Sequence, residues 1–289
     1  MFERRDNIII LLAAVIIVLP LFTAAQPAPP NTFLERVRTK FAKPRSCKTA
    51  ACLCSITDES VASRMLSEYG AIFTAVETVQ TPNRCVFEEE KQVTVFQDTV
   101  RSRAERISGV TIELQDEAMS ALLDAQADAV KAGLRITPLD GAIAAKRSYS
   151  DTILIWNSRY LKALVYWEKH GKITTENAEA ARNDMVVVQI RKVMYWENRG
   201  LNFGTNIKGS IFSSTAPPGT SQHLSMLAFD VVQYSNRSVR AIMNRHGWFQ
   251  TVANDAPHFT YLGVTGSDLP SRGLKSITMG GYQFWVPAF

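Results

Sequence analysis

The 289 residues suffice for one large domain, or for a domain with an appendage, with ample length to bury a core. Apolar content of 46% and charged content of 20% are those of an ordinary globular protein and by themselves name no function. The net charge of +5 is spread along the chain without long Arg/Lys runs or a basic-aromatic repeat. That argues against nucleic acid as a partner and is compatible with weak attraction to anionic cell-envelope polymers.

Residues 1–25 read as a targeting segment. Arg4 and Arg5 precede an apolar run from Ile8 to Phe22, and Thr23-Ala24-Ala25 offers the small residues that cleavage needs. The run is short for a membrane span and contains Pro20, which favours a cleaved signal peptide; an uncleaved N-terminal anchor is the alternative. Either reading exports the rest of the chain to the periplasm or cell envelope. Gln26-Pro27-Ala28-Pro29-Pro30-Asn31 then opens a stiff Pro-rich linker over residues 26–46, with no means of forming a core.

Cys47, Cys52, Cys54 and Cys85 are an even set in an exported chain, which reads as two disulfides. A Cys52–Cys54 bridge would close too short a loop. Two pairings stay open: Cys47–Cys52 with Cys54–Cys85, or Cys47–Cys54 with Cys52–Cys85. The spacing lacks the paired Cys-x-x-Cys knuckles of a structural zinc module. Residues 47–105 are expected to form a small stapled subdomain, with a helix over Asp58–Tyr69 and a strand-like piece at Val93–Phe96.

A main domain is expected over 106–289. Leu114 to Ala132 has helical spacing with Gly133 as its stop, and Leu134–Thr137 suggests a short strand. Ser150 or Asp151 can cap a helix to Lys169, and Thr174 or Thr175 opens another toward Arg199-Gly200. Their Trp and Tyr residues fall at core spacing. His170 and His246 each sit in the last turn of a helix, where the dipole favours a cation, and neither is a chosen ligand. The tail, with Gly280-Gly281 and Trp285, suggests a terminal strand completing a sheet edge.

The chemistry concentrates in Gly219 to Asp230 and Asp255 to Phe259. Leu227 to Val232 looks like a buried strand, and Asp230 on it is a carboxylate in apolar company, costly unless paired or bound to a metal. His223 and Asp230 are an odd number of positions apart, so a straight strand would aim them at opposite faces. They converge only if His223 lies in the turn before the strand. Met226 is strained if that turn needs a positive φ. His223, Asp230 and His258 supply two imidazoles and a carboxylate as ligands, and Asp255 is a second carboxylate one turn before His258. This is the donor set of a hydrolytic zinc site.

Ser221-Gln222-His223-Leu224-Ser225-Met226-Leu227-Ala228-Phe229-Asp230 resembles the Ser-x-His-x-x-Gly-x-Ala-x-Asp motif of the zinc D-alanyl-D-alanine carboxypeptidase family. Asp255-Ala256-Pro257-His258-Phe259 resembles that family's acid-x-x-His-aromatic motif, and Arg147-Ser148-Tyr149 resembles its Arg-Ser-Tyr turn. Met226, Asp255 and Phe259 stand where the commonest pattern has Gly, Glu and Trp. The resemblance spans roughly 110–265. It implies an α+β fold with helices packed on a small antiparallel sheet, Zn2+ on His223, Asp230 and His258, and Asp255 as general base. It also implies Arg147 on the substrate carboxylate or the developing oxyanion, and Ser221 as an aid to substrate orientation. The implied substrate is a peptidoglycan stem peptide. Asp at position 255 is also found in cell-wall endopeptidases resembling the L-alanyl-D-glutamate type, which makes such an endopeptidase one alternative. A catalytically dead wall-binding protein is the other.

Overall fold

The computed structural model describes residues 32–289, so the expectations for residues 1–25 and 26–31 lie outside the described residues. Among the described residues no helix is long and apolar enough to cross a membrane. The architecture is mixed α+β with small antiparallel sheets.

The N-terminal part packs more tightly than its sequence suggests. Helix α1 (Thr32–Lys40) buries Phe33 and Val37 completely, and the Phe33 ring stacks on Phe289 at 5.3 Å. Residues 32–41 are therefore packed on the core through Phe33, Val37 and Phe41, where a linker was expected. The reason is the Phe33/Val37 pair one helical turn apart, which gives this segment an apolar stripe that the preceding prolines lack. Helix α2 (Ala50–Cys54) and helix α3 (Glu59–Tyr69) follow, α3 capped by Asp58 Oδ1 accepting from the Ser60 and Val61 N–H groups. The bridges are Cys47–Cys52 and Cys54–Cys85.

Residues 90–99 form a helix, α4 (Glu90–Thr99), where a strand-like piece was expected. The β-branched run is overruled by Val93 and Phe96 packing at helical spacing against Phe87, Leu224 and Tyr149. The hairpin of β1 (Ser102–Ile107) and β2 (Val110–Gln115) comes next, so the expected boundary at 105/106 falls inside a strand. Residues from 47–105 also share their buried clusters with the rest of the chain: Leu66 lies with Phe229 and Trp248, and Val61 with Trp156.

Helix α5 (Asp116–Lys131) begins two residues later than expected because Leu114 and Gln115 complete β2. Gly133 ends it at φ +69. The strand expected at 134–137 shrinks to one bridge, Pro138 to Val231. Pro138 has no N–H to continue a ladder. Helix α6 (Tyr149–Lys169) is capped by Ser148 in a reciprocal box with Asp151. The long helix expected after Thr174 is two helices, α7 (Thr175–Asn183) and α8 (Val186–Glu197), separated by extended Asp184 and Met185. There the Asp184 carbonyl accepts from Gln189 Nε2 at 3.0 Å, and Lys192 pairs with the Asp184 carboxylate at 2.6 Å.

The central sheet has order β3 (Ala228–Asp230), β5 (His258–Tyr261), β4 (Trp248–Phe249), all antiparallel, with helix α9 (Arg237–Arg245) between β3 and β4 in sequence. The tail does not complete its edge. It forms a separate hairpin, β6 (Leu274–Met279) with β7 (Tyr282–Pro287), joined through Gly280 and Gly281 at φ +58 and +81. Two consecutive positive φ values define the tight two-residue turn that folds the tail on itself.

Candidate metal centre

His223 lies in a single 3-10 turn, Gln222–Ser225, immediately before β3, as the parity of its spacing to Asp230 requires. Met226 closes that turn at φ 57, ψ 30, in the left-handed region, so the strain foreseen for a non-glycine residue is present. Gln115 holds the turn. Its Nε2 donates to the Ser225 carbonyl at 2.7 Å and its backbone N–H to the Met226 carbonyl at 3.1 Å. Asp230 and His258 come from opposite strands and are paired in register.

Three atoms converge. His223 Nε2 is 3.1 Å from His258 Nδ1 and 3.3 Å from Asp230 Oδ1, and His258 Nδ1 is 3.1 Å from the same oxygen. The other ring nitrogens determine where the protons are. His223 Nδ1 lies 2.9 Å from the Ala145 carbonyl, which can only accept, so Nδ1 carries the proton. His258 Nε2 lies 2.8 Å from Gln222 Oε1; the Gln222 amide is oriented by its Nε2 donating to the Tyr69 carbonyl at 2.8 Å. Thr260 Oγ1 donates to the same Gln222 oxygen. His258 thus carries its proton on Nε2. Both nitrogens that face Asp230 are left with bare lone pairs.

Charge points the same way. Burial, reinforced by the Arg147 guanidinium, pushes the His223 pKa down to about 4, which keeps the ring neutral at ordinary pH. Arg147 Nη2 also donates to Asp230 Oδ2 at 2.7 Å. Two lone-pair nitrogens and a carboxylate oxygen therefore face one another with no hydrogen between them, a repulsive arrangement unless a cation sits among them. The edge of a tetrahedron about zinc with bonds of roughly 2.0–2.1 Å is about 3.3 Å, close to the separations seen. His223, Asp230 and His258 could hold a metal ion. Ala145 O and Gln222 Oε1 are the acceptors that fix the ligand rings.

The triad opens into a cavity of about 330 Å³ whose lining includes Arg147, Ser221 and Asp255 as well as the three ligands. All the residues selected from sequence thus meet in one place. Asp255 sits in the turn before β5, and burial, with the neighbouring Asp230 charge, raises its pKa to about 6 against the pull of His258, Arg147 and Arg159. Arg147 arrives from the turn before α6, but its guanidinium is engaged by Asp230 and, through Nε, by the Ile143 carbonyl at 2.9 Å. His170 and His246 line no part of this cavity; His246 pairs with Asp128 at 3.0 Å on the α5–α9 side.

Sequence reasoning missed four contributors. Gln222 orients His258, and Tyr69 from α3 orients Gln222. Gln97 on α4 donates to the Arg147 carbonyl at 2.9 Å and the Leu224 carbonyl at 3.0 Å, tying the arginine turn to the His223 turn. Arg159, on α6, faces the cavity. Only Gln222 carried a usable signal, its place next to His223 inside the motif.

The class these features define is an α+β protein with two disulfides and a buried His–Asp–His group fit to hold a metal ion. Compared with family models, curated proteins and solved structures, the chain matches none.

Proposed function

We propose that this protein is an exported zinc peptidase that hydrolyses peptidoglycan stem peptides, most simply as a D-alanyl-D-alanine carboxypeptidase. The observation that carries the reading is the proton-free triangle of His223 Nε2, His258 Nδ1 and Asp230 Oδ1 beside a carboxyl group with a raised pKa, Asp255. The substrate class rests on the motif resemblance, and the two disulfides are compatible with export. Zinc held by the triad would supply Lewis-acid polarisation of the scissile carbonyl and activation of a water.

The chain's own groups supply the rest. Asp255, with a pKa near 6, is ionised at neutral pH, yet basic enough to take the proton of the attacking water and pass it to the leaving amine. Arg147 neutralises and orients Asp230, which makes it a positioning residue as well as a neighbour of the developing oxyanion. Ser221, at the cavity wall one residue from Gln222, is placed to meet substrate. The test is mass spectrometry of purified muropeptides after incubation with zinc-loaded protein. Loss of a terminal D-alanine is expected. Cleavage inside the stem would make it an endopeptidase, and unchanged muropeptides would leave the wall-binding reading.

A further inference from the structure

Resting on the peptidase reading, we propose that Arg159 is the anion-binding residue of this cavity. It receives the free C-terminal carboxylate of the peptide and makes the site that of a carboxypeptidase.

A peptide carboxylate entering here meets three carboxylates in the lining, Asp140, Asp230 and Asp255, and two guanidinium groups, Arg147 and Arg159. Arg147 is committed to Asp230 and to the Ile143 carbonyl, so its fork is turned toward the protein. Arg159 is different. Its one hydrogen bond goes to the hydroxyl of its neighbour Ser158, and among the described residues it has no carboxylate partner. A partly buried guanidinium with no carboxylate in direct contact keeps donors to offer. A carboxylate completes it with two parallel hydrogen bonds.

The side chain also stands on a rigid mount. Flanking residues Trp156 and Tyr160 on α6 are fully buried; Trp156 Nε1 donates to Gln189 Oε1 at 3.0 Å and Tyr160 Oη to the Ala181 carbonyl at 3.0 Å. A recognition group on an anchored helix loses less entropy on binding than one on a loop. The cavity is near the lower end of ligand-pocket sizes, which suits a short terminus of small residues. Arg159 and Asp255 line the same cavity, so an anion held by Arg159 shares that space with the proposed base.

The test compares N-acetyl-D-alanyl-D-alanine with its C-terminal amide, by calorimetric titration of metal-free protein and by turnover with zinc-loaded protein. The acid should bind the wild type at least about tenfold more tightly than the amide. Arg159→Gln should erase that difference, with far-UV circular dichroism and zinc stoichiometry unchanged, and Arg159→Lys should restore part of it. Equal binding of acid and amide by the wild type, binding of neither, or equal weakening of both by Arg159→Gln would overturn the assignment. Arg159-dependent binding of the acid without hydrolysis of any peptide would uphold the carboxylate site and reject the peptidase. Hydrolysis with the acid preference intact in Arg159→Gln would do the reverse.

Discussion

Asp230 and His258 are register partners across the β3–β5 pair, and their side chains meet at 3.1 Å between Oδ1 and Nδ1. Two ligands are thereby set by backbone pairing alone, and the third, His223, is added from a 3-10 turn held by Gln115. Such a preorganised set should take up about one zinc per chain. His223→Ala should lose the metal, as read by elemental analysis of the purified protein. Gln222→Ala leaves all three ligands but frees the His258 ring, and should weaken zinc about 10–100-fold in a competition with a chelating dye. Unchanged affinity in Gln222→Ala would show that the ring is held some other way.

The raised pKa of Asp255 makes a stability prediction for the metal-free protein. Its folded value, about 6, lies above the ordinary carboxylate value, so the folded state holds this proton more tightly than the unfolded chain does. The Asp255 contribution is therefore intact below about pH 4 and is lost as pH rises to about 6. Asp255→Asn cannot ionise and should be more stable than wild type above pH 6, by of the order of 2 kcal/mol, and little different at pH 4. Urea denaturation at the two pH values measures this. On the proposed peptidase reading, the same variant should keep its zinc and lose about 10²–10⁴-fold in kcat. The acidic limb of the wild-type rate should fall at or below pH 6, since a bound cation favours the ionised carboxyl.

The centre was more legible in the sequence than the fold around it. His223, Asp230, Asp255 and His258 could be chosen because their two motifs resemble those of a zinc peptidase family; the buried carboxylate at Asp230 and the spacing parity at His223 agree with that choice. Gln97 could not be chosen. Its value lies in reaching carbonyls 50 and 127 residues away, and local pattern holds no trace of that. Helix α4 departs from its local pattern for a related reason. Thr94 and Val95 favour a strand locally, whereas the Tyr149 and Ser150 N–H groups donate to the Glu90 carboxylate and fix one end of this helix on α6. The packing of residues 32–41 has no local signal for the same reason, since Phe33 finds its partner in Phe289.

Gly219 tests whether the motif turn can move. Its φ is +79, and a Cβ there would lie 1.8 Å from the Phe87 carbonyl oxygen, whose residue also donates its N–H to the Gly219 carbonyl at 2.9 Å. The obstacle is backbone, two residues beyond Cys85 of the Cys54–Cys85 bridge, and has little freedom to give way. Gly219→Ala should destabilise the protein by more than about 2 kcal/mol, from strain and clash together. It should also loosen zinc, because Ser221 to His223 follow directly. Thermal unfolding and metal titration read the two effects separately, and a variant with wild-type values in both would mean that the turn is not constrained by Phe87.

Met226 offers a prediction in which two terms oppose. It occupies a left-handed position where the resembling motif has glycine, and a non-glycine residue pays roughly 1–2 kcal/mol there. Met226→Gly would relieve that strain. The Met226 side chain, however, is completely buried, and truncating a buried methionine costs about 2–5 kcal/mol. Added chain freedom in the unfolded state costs up to about 1 kcal/mol more. The packing loss should win, so Met226→Gly is expected to be less stable than wild type by about 1–4 kcal/mol, measured as a lower urea midpoint at unchanged m-value. Zinc affinity should change little, because Gln115 still holds the Ser225 and Met226 carbonyls. A Met226→Gly protein more stable than wild type would mean that the left-handed strain exceeds what the methionine gains by burial.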